Sequence, residues 1–165
     1  MTDLMGDSCS HSPIGIDLTI DDSVRQPMDS TWIVDRLKDA ARMVPHPAHA
    51  IDMLIVDDVR MSELHARYLN DPSTTDVLTF DLATAGEASE VEMIICADAA
   101  ARQAELRGHS VEVEILLYAI HGLLHCAGFD DNTDSDHAKM HAEEDRILEA
   151  IGVGRVFGAG SAAEP

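Results

Sequence analysis

The chain has 165 residues, 45% of them hydrophobic, and a formal net charge of −20 at pH 7. Its length suits one domain with a sizeable core. No apolar run approaches the ~20 residues of a membrane span, and no basic patch followed by an apolar stretch indicates a signal peptide. Three widely spaced cysteines predict reduced thiols in a cytoplasmic protein rather than a disulfide framework. Such a negative chain repels nucleic acid unless its few basic residues cluster at one groove.

The two ends of the chain differ from its middle. Residues 1–13 are polar and lack apolar periodicity, which predicts a disordered tail. Residues 156–165 are predicted to form a flexible tail. A single domain of residues 14–155 is expected between them, without an internal repeat.

Within this domain, the hydrophobic pattern predicts four strands and five helices. The predicted strands are residues 14–20, 50–56, 77–82 and 91–97. The predicted helix caps are Ser30 or Thr31, Asp98, Ser110 and Thr133, the last in a capping box with Asp136. The predicted stop signals are Pro45, Gly108 and Gly128. This order of elements predicts an α+β layer architecture.

Inward-facing stripes are predicted on three of the helices. The first carries Ile33, Leu37, Ala41 and Val44. The second, residues 60–69, carries Met61, Leu64 and Tyr68. The last, roughly residues 134–151, carries Met140, Ile147, Leu148 and Ile151.

The segment 121–131, HGLLHCAGFDD, indicates a metal site. His121 and His125 are four residues apart on a helix, so both imidazoles project from one face. Gly128 can adopt the left-handed conformation that ends a helix and turns the chain back. Asp131 can then supply a third ligand, which leaves one position of a tetrahedral ion open for water, as in catalytic zinc sites. We therefore predict one Zn²⁺ per chain on His121, His125 and Asp131.

Other acidic residues crowd the loop that follows. Asp130, Asp134 or Asp136 could replace Asp131 as the third ligand. The loop also resembles the start of a calcium-binding loop. It lacks the glycine required at the sixth position, which is Ser135, and the glutamate at the twelfth, which is His141, so a calcium site is not expected.

Residue 122 argues against the commonest zinc hydrolase. Metalloproteases of the H-E-x-x-H type use the glutamate after the first histidine as general base. Here that position is Gly122, so peptide hydrolysis by that mechanism is not expected.

Over roughly residues 50–150 the sequence resembles the YbeY family of bacterial rRNA-maturation endoribonucleases. The motifs that carry the resemblance are TDVLTF (75–80), EMIIC (92–96), GHS (108–110) and HGLLHCAGFDD. The resemblance implies a zincin-like fold, with helices on a roughly four-stranded mixed sheet, and one zinc ion. It also implies single-strand-specific cleavage in rRNA 3′-end maturation and ribosome quality control, with rRNA and the small ribosomal subunit as partners and neither membrane nor DNA.

Two positions depart from the family pattern. The third metal histidine of the family is replaced by Asp131, whose charge makes the ion a weaker Lewis acid. The arginine that usually follows the aromatic residue of the second helix is replaced by Leu69, after Tyr68. Arg60 or Arg67 is the expected substitute in contacting RNA.

No general base is identifiable from the sequence. The candidates are metal-bound hydroxide, Glu114 and a second acidic residue of the loop 130–136; Glu114 reads more simply as a solvated helix residue. His109 and His137 could orient the ligands, although capping or surface positions fit them better. His65 and His141 are expected on the surface.

Two other functions compete with RNA cleavage. The altered ligand and the missing arginine favour a non-catalytic or weakly catalytic ribosome-assembly factor that keeps its metal for stability. The acidic charge alone supports a metal hydrolase of a small molecule or peptide.

Overall fold

The computed structural model describes residues 13–83 and 89–158. Of the two predicted tails, only residue 13 and residues 156–158 fall within these ranges. Four strands and five helices alternate along the described chain. The strands are β1 (Gly15–Ile20), β2 (Ala50–Val56), β3 (Val77–Asp81) and β4 (Glu90–Cys96). The helices are α1 (Ser30–Ala41), α2 (Asp58–Leu69), α3 (Ala97–Arg107), α4 (Val111–Cys126) and α5 (Asp134–Ala150).

The strands form one mixed sheet in the order β1-β2-β4-β3. β1, β2 and β4 are parallel, with Ile20 opposite Ile55 and Ile55 opposite Ile95. β3 runs antiparallel to β4 at one edge, with Leu78 opposite Ile94. This arrangement confirms the predicted α+β class, with helices layered on a four-stranded mixed sheet.

The main core lies on the sheet face covered by α1 and α4, with α5 packed on α4. Ile51, Met53 and Ile55 of β2 project into it together with alternate residues of β4. All residues of α4 from 114 to 120 are buried, because the helix contacts α1, α3, α5 and two strands. The predicted inward stripes of α1 and α5 are confirmed as part of this core.

The opposite sheet face carries a smaller cluster beneath α2. Met61 and Leu64 of α2 are buried there against residues of β2, β3 and β4. The prediction that Tyr68 faces inward is wrong, since 52% of it is exposed. Its ring lies 5.2 Å from that of Phe80, at the margin of this cluster.

Two of the four predicted helix caps are confirmed. Ser110 caps α4, and Thr133 caps α5 through the backbone N–H of Asp136. The cap of α1 is Asp29 rather than Ser30 or Thr31. Asp98 does not cap α3, because its carboxylate accepts bonds from the Asp58 backbone and the Gln26 side chain.

The C-terminal end of the described chain packs on α5. The carboxylate of Asp145 accepts hydrogen bonds from the backbone N–H groups of Val156 at 2.7 Å and Phe157 at 2.9 Å. The chain therefore stays on the domain two residues past the predicted boundary at 155.

None of the helices within residues 13–83 and 89–158 combines the length and apolar character needed to cross a membrane. Cys96 and Cys126 are free thiols, while Cys9 lies outside the described residues. Burial raises the pKa of both thiols to about 11, so they are protonated at neutral pH.

Candidate metal centre

The last turns of α4 and the loop after it bring the three predicted ligands together. The Nε2 atoms of His121 and His125 lie 3.0 Å apart. The Oδ2 atom of Asp131 lies 3.6 Å from each of them. Among the described residues, these are the only three histidine, cysteine or acidic side chains whose donor atoms converge closely enough to hold one ion.

This triangle fits a tetrahedral metal ion. Bonds of ~2.0–2.1 Å at tetrahedral angles place neighbouring donor atoms about 3.3 Å apart. The observed separations of 3.0 and 3.6 Å bracket this value. The three side chains remain between 27% and 36% exposed, so water can reach a fourth position.

The other nitrogen of each imidazole has a partner that orients the ring. The Nδ1 atom of His121 lies 2.6 Å from a carboxylate oxygen of Glu144, which is 1% exposed. The Nδ1 atom of His125 lies 3.1 Å from the carbonyl oxygen of Phe129. Both contacts place the proton on Nδ1 and leave Nε2 free for a metal, the arrangement found around metal-binding histidines.

Burial and charge act in opposite directions on His121. Burial lowers its pKa, but the bond to Glu144 and the charges of Glu144 and Asp131 raise it to a net value above the ordinary one. These carboxylates thus increase the basicity of the imidazole.

Two of the competing loop acids are engaged elsewhere. Asp130 accepts hydrogen bonds from the Asp131 backbone and the Asn132 side chain. Asp136 bonds to Thr133 in the capping box. Their bonds hold the turn that carries Asp131 toward the histidines.

Gly122 marks a close approach between α4 and β3. A Cβ atom at this position would overlap Oγ1 of Thr79 and press on its Cβ and Cγ2 at 3.3 Å. The glycine therefore lets the helix pack directly on the TDVLTF strand. The same contact leaves no room for the glutamate of an H-E-x-x-H site.

A cleft of about 350 Å³ opens beside the triad. His121, Asp131 and Glu144 line it together with Asp76, Leu117, Tyr118 and residues of α3, α5 and the C-terminal segment. Arg107 is the one arginine on its lining. The predicted RNA contacts Arg60 and Arg67 do not line it: Arg60 pairs with Glu63, and Arg67 lies over the ring of Tyr68.

Glu114 is not solvated, so the expectation of an exposed helix residue is wrong. Its side chain is fully buried. One carboxylate oxygen lies 2.6 Å from Arg107, and the other lies 3.1 Å from Nε2 of His109. Burial raises the pKa of Glu114, opposed by the charges of Arg107 and His109.

The remaining histidines take separate positions. His65 bonds to the Ser73 carbonyl at the surface. His109 contacts Glu114 rather than one of the three candidate metal ligands. His137 is exposed on the cleft, as a surface histidine. His141 is half-buried and stacked on Phe157, and it lines the cleft.

The sequence analysis missed Glu144, the carboxylate behind His121. Its signal is its position on the predicted inward stripe of α5, four residues after Met140 and three before Ile147. A charged residue on such a stripe is rarely buried unless it has a partner.

Comparisons with known proteins identify the family and agree with the fold. The sequence profile of the family described as Endoribonuclease YbeY matches residues 18–152. The Endoribonuclease YbeY of Thermobifida fusca (strain YX) is 38% identical over 119 residues, which cover 67% of this chain and 76% of that protein. The protein of the same name from Beutenbergia cavernae is 35% identical over 119 residues, covering 67% and 79%.

The fold also matches a solved structure. The solution structure of TM1509 from Thermotoga maritima aligns with a TM-score of 0.53 over 82% of this chain and 88% of that one. At 21% identity this likeness bears on the fold alone. Together, the profile match over most of the described domain and the relatives above 30% identity show that the chain belongs to the YbeY family of endoribonucleases.

Proposed function

We propose that this chain is a zinc-dependent endoribonuclease that cleaves single-stranded RNA. Its place would be the cytoplasm, in 3′-end maturation of rRNA and quality control of the small ribosomal subunit. The observation that carries the proposal is the convergence of His121, His125 and Asp131 beside an open cleft, in a chain of this family.

The donor set supports zinc among the divalent metals. Two imidazole nitrogens and one carboxylate oxygen in tetrahedral spacing suit Zn²⁺, whereas calcium and magnesium prefer six or more oxygen donors. When bound, such an ion activates water and polarises a phosphate oxygen. Glu144 and the Phe129 carbonyl hold the two rings, so the chain provides a preformed site.

The cleft also limits which residue can orient the attacking water. Glu114 is buried behind Arg107 and does not line the cleft. Asp131 and Glu144 are committed to the metal site and to His121. Asp76 is an exposed carboxylate on the cleft wall, held at one oxygen by the backbone N–H of Val77. We assign it the role of orienting the water.

A second candidate function is a weakly catalytic or non-catalytic ribosome-assembly factor. The observation that favours it is the position of Arg60 and Arg67 outside the cleft, which leaves Arg107 as its one arginine. Such a protein would bind rRNA and metal without cleaving.

An RNA cleavage assay separates the two functions. Purified protein is incubated with a single-stranded RNA and with the same sequence in a duplex, with and without chelator. We expect cleavage of the single strand that stops with chelator and is restored by Zn²⁺. His121→Ala should be inactive, and absence of chelator-sensitive cleavage in the wild type would favour the assembly factor.

A further inference from the structure

One wall of the cleft is a row of neighbouring planar side chains from three parts of the chain. The imidazole of His141 lies parallel to the ring of Phe157, with centroids 3.7 Å apart and 4° between the planes. The ring centroid of His137 lies 4.1 Å from that of His141, with the two planes tilted by 59°. The guanidinium of Arg107 lies 5.0 Å from the Phe157 ring. We call these four residues the stacked wall.

Two residues of the stacked wall, Phe157 and Arg107, are held by contacts with buried carboxylates. Phe157 is fixed because the buried carboxylate of Asp145 accepts the backbone N–H groups of Val156 and Phe157. Arg107 is fixed at the other end by its 2.6 Å contact with the buried Glu114. Two buried carboxylates thus hold two residues of the stacked wall that are distant in sequence.

One ring of the stacked wall is exposed. His137 is exposed and lines the cleft together with His121 and Asp131. A planar ligand can therefore stack on the ring of His137, next to the proposed metal centre. Unpaired nucleobases are planar and stack on aromatic side chains in this way, and every base offers a suitable face.

The charge of the chain makes this mode of binding more favourable than a basic groove. A net charge of −20 opposes RNA at long range. Stacking does not require positive charge and acts at contact distance. On the basis of the proposed RNA-cleaving function, we propose that the stacked wall binds single-stranded RNA by stacking an unpaired base on His137, beside the metal site.

The first test measures stacking directly. Zinc-loaded full-length protein is titrated into a single-stranded RNA octamer containing 2-aminopurine, whose fluorescence is quenched on stacking, and each reading is taken early enough that a gel of the recovered RNA shows it intact. We expect His137→Ala to weaken binding about 5- to 100-fold and to abolish the quenching. His137→Phe, which keeps a planar ring without ring nitrogens, should remain within about threefold of wild type.

The matched pair of variants separates stacking from other roles of His137. Equal affinity and quenching for wild type and His137→Ala would overturn the proposal, as would a loss in His137→Phe equal to that in His137→Ala. No binding of the octamer by wild type would also overturn it. Circular dichroism and zinc content should be unchanged in both variants, because His137 is exposed and outside the triad.

Salt dependence gives a second measurement. With one or two phosphate contacts, affinity for a single strand should fall only about three- to sevenfold between 50 and 200 mM salt. A loss of about a thousandfold would identify binding dominated by phosphates and overturn the proposal. Quenching in this titration, together with no cleavage in the longer RNA cleavage assay, would contradict the proposed nuclease and leave the stacked wall intact. Cleavage with unaltered binding by His137→Ala would contradict the stacked wall alone.

Discussion

The chain contains two pairs of histidines with the same spacing of four residues, and the structure gives them different surroundings. His121 and His125 on α4 face each other through their Nε2 atoms, 3.0 Å apart, with Asp131 in reach of both. His137 and His141 on α5 have ring centroids 4.1 Å apart, with their planes tilted by 59°. Among the described residues, no group of donor atoms able to hold an ion includes the second pair.

The difference shows what allows a pair of histidines to hold a metal ion. The first pair has a third donor from a turn and a fixed partner at each Nδ1 atom. The second pair has the aromatic ring of Phe157 as its neighbour instead. Spacing on a helix provides two donors on one face, and the surrounding residues decide whether they bind metal or stack.

The largest expected difference between the pairs is in metal affinity. His125→Ala should weaken zinc binding by about a thousandfold or more, because one of three protein ligands is lost. His141→Ala, the matched variant in the other pair, should bind zinc like the wild type. Competition with a chromogenic chelator measures both. Equal zinc affinity for the two variants would show that the two histidine pairs do not differ in their contribution to zinc binding.

The next effect tests the residue behind the first pair. Glu144→Gln should lower zinc affinity about 10- to 100-fold, because an amide oxygen orients and polarises His121 less than a carboxylate does. Asp145→Asn is the matched control, since it removes the adjacent buried carboxylate, which holds Val156 and Phe157 instead. The same chelator competition applies. Comparable losses in both variants would indicate a general effect on α5 rather than on the ligand.

A smaller effect concerns how α4 reaches its position. Gly122→Ala should lower the free energy of unfolding by about 1–3 kcal/mol, because the added methyl group overlaps Thr79 on β3. Adding Thr79→Ala should recover most of this loss. Urea unfolding of the metal-free proteins gives the values. A single variant as stable as wild type would show that the helix can shift without cost.

The smallest effect concerns Glu114, which is buried beside His109 as Glu144 is beside His121. Burial raises the pKa of Glu114 above its ordinary 4.5, so above pH 4.5 the folded chain holds this proton more often than the unfolded chain. Its contribution to the free energy of unfolding therefore falls as pH rises through that window. Glu114→Gln cannot ionise and should gain stability relative to wild type as the pH rises from 4.5 through the raised pKa of Glu114, by about 1.4 kcal/mol for each tenfold change in proton affinity.

Urea unfolding at several pH values measures this difference. Subtracting the wild-type curve from that of Glu114→Gln cancels the groups that both proteins share. Parallel curves would show that Arg107 and His109 fully offset the cost of burying the charge.

Local patterns determined much of the fold. The apolar alternation of β2 predicted its bounds, 50–56, because neighbouring side chains of a strand point to opposite faces. Ser110, Thr133 and Gly108 marked helix ends, because capping depends on residues close in sequence. Tyr68 was misplaced because helical spacing defines a face but not the extent of the sheet beneath it.

For the candidate site, the sequence by itself determined which side chains converge at α4 and its turn. His121, His125 and Asp131 lie within one short segment, so helix geometry and a glycine turn suffice to bring them together. Only the tertiary structure decided what surrounds them. Glu144 reaches His121 across 23 residues, and Arg107 reaches Phe157 across 50, because separate elements pack around one core. Contacts at such separations depend on the packing of the whole domain, which no local pattern specifies.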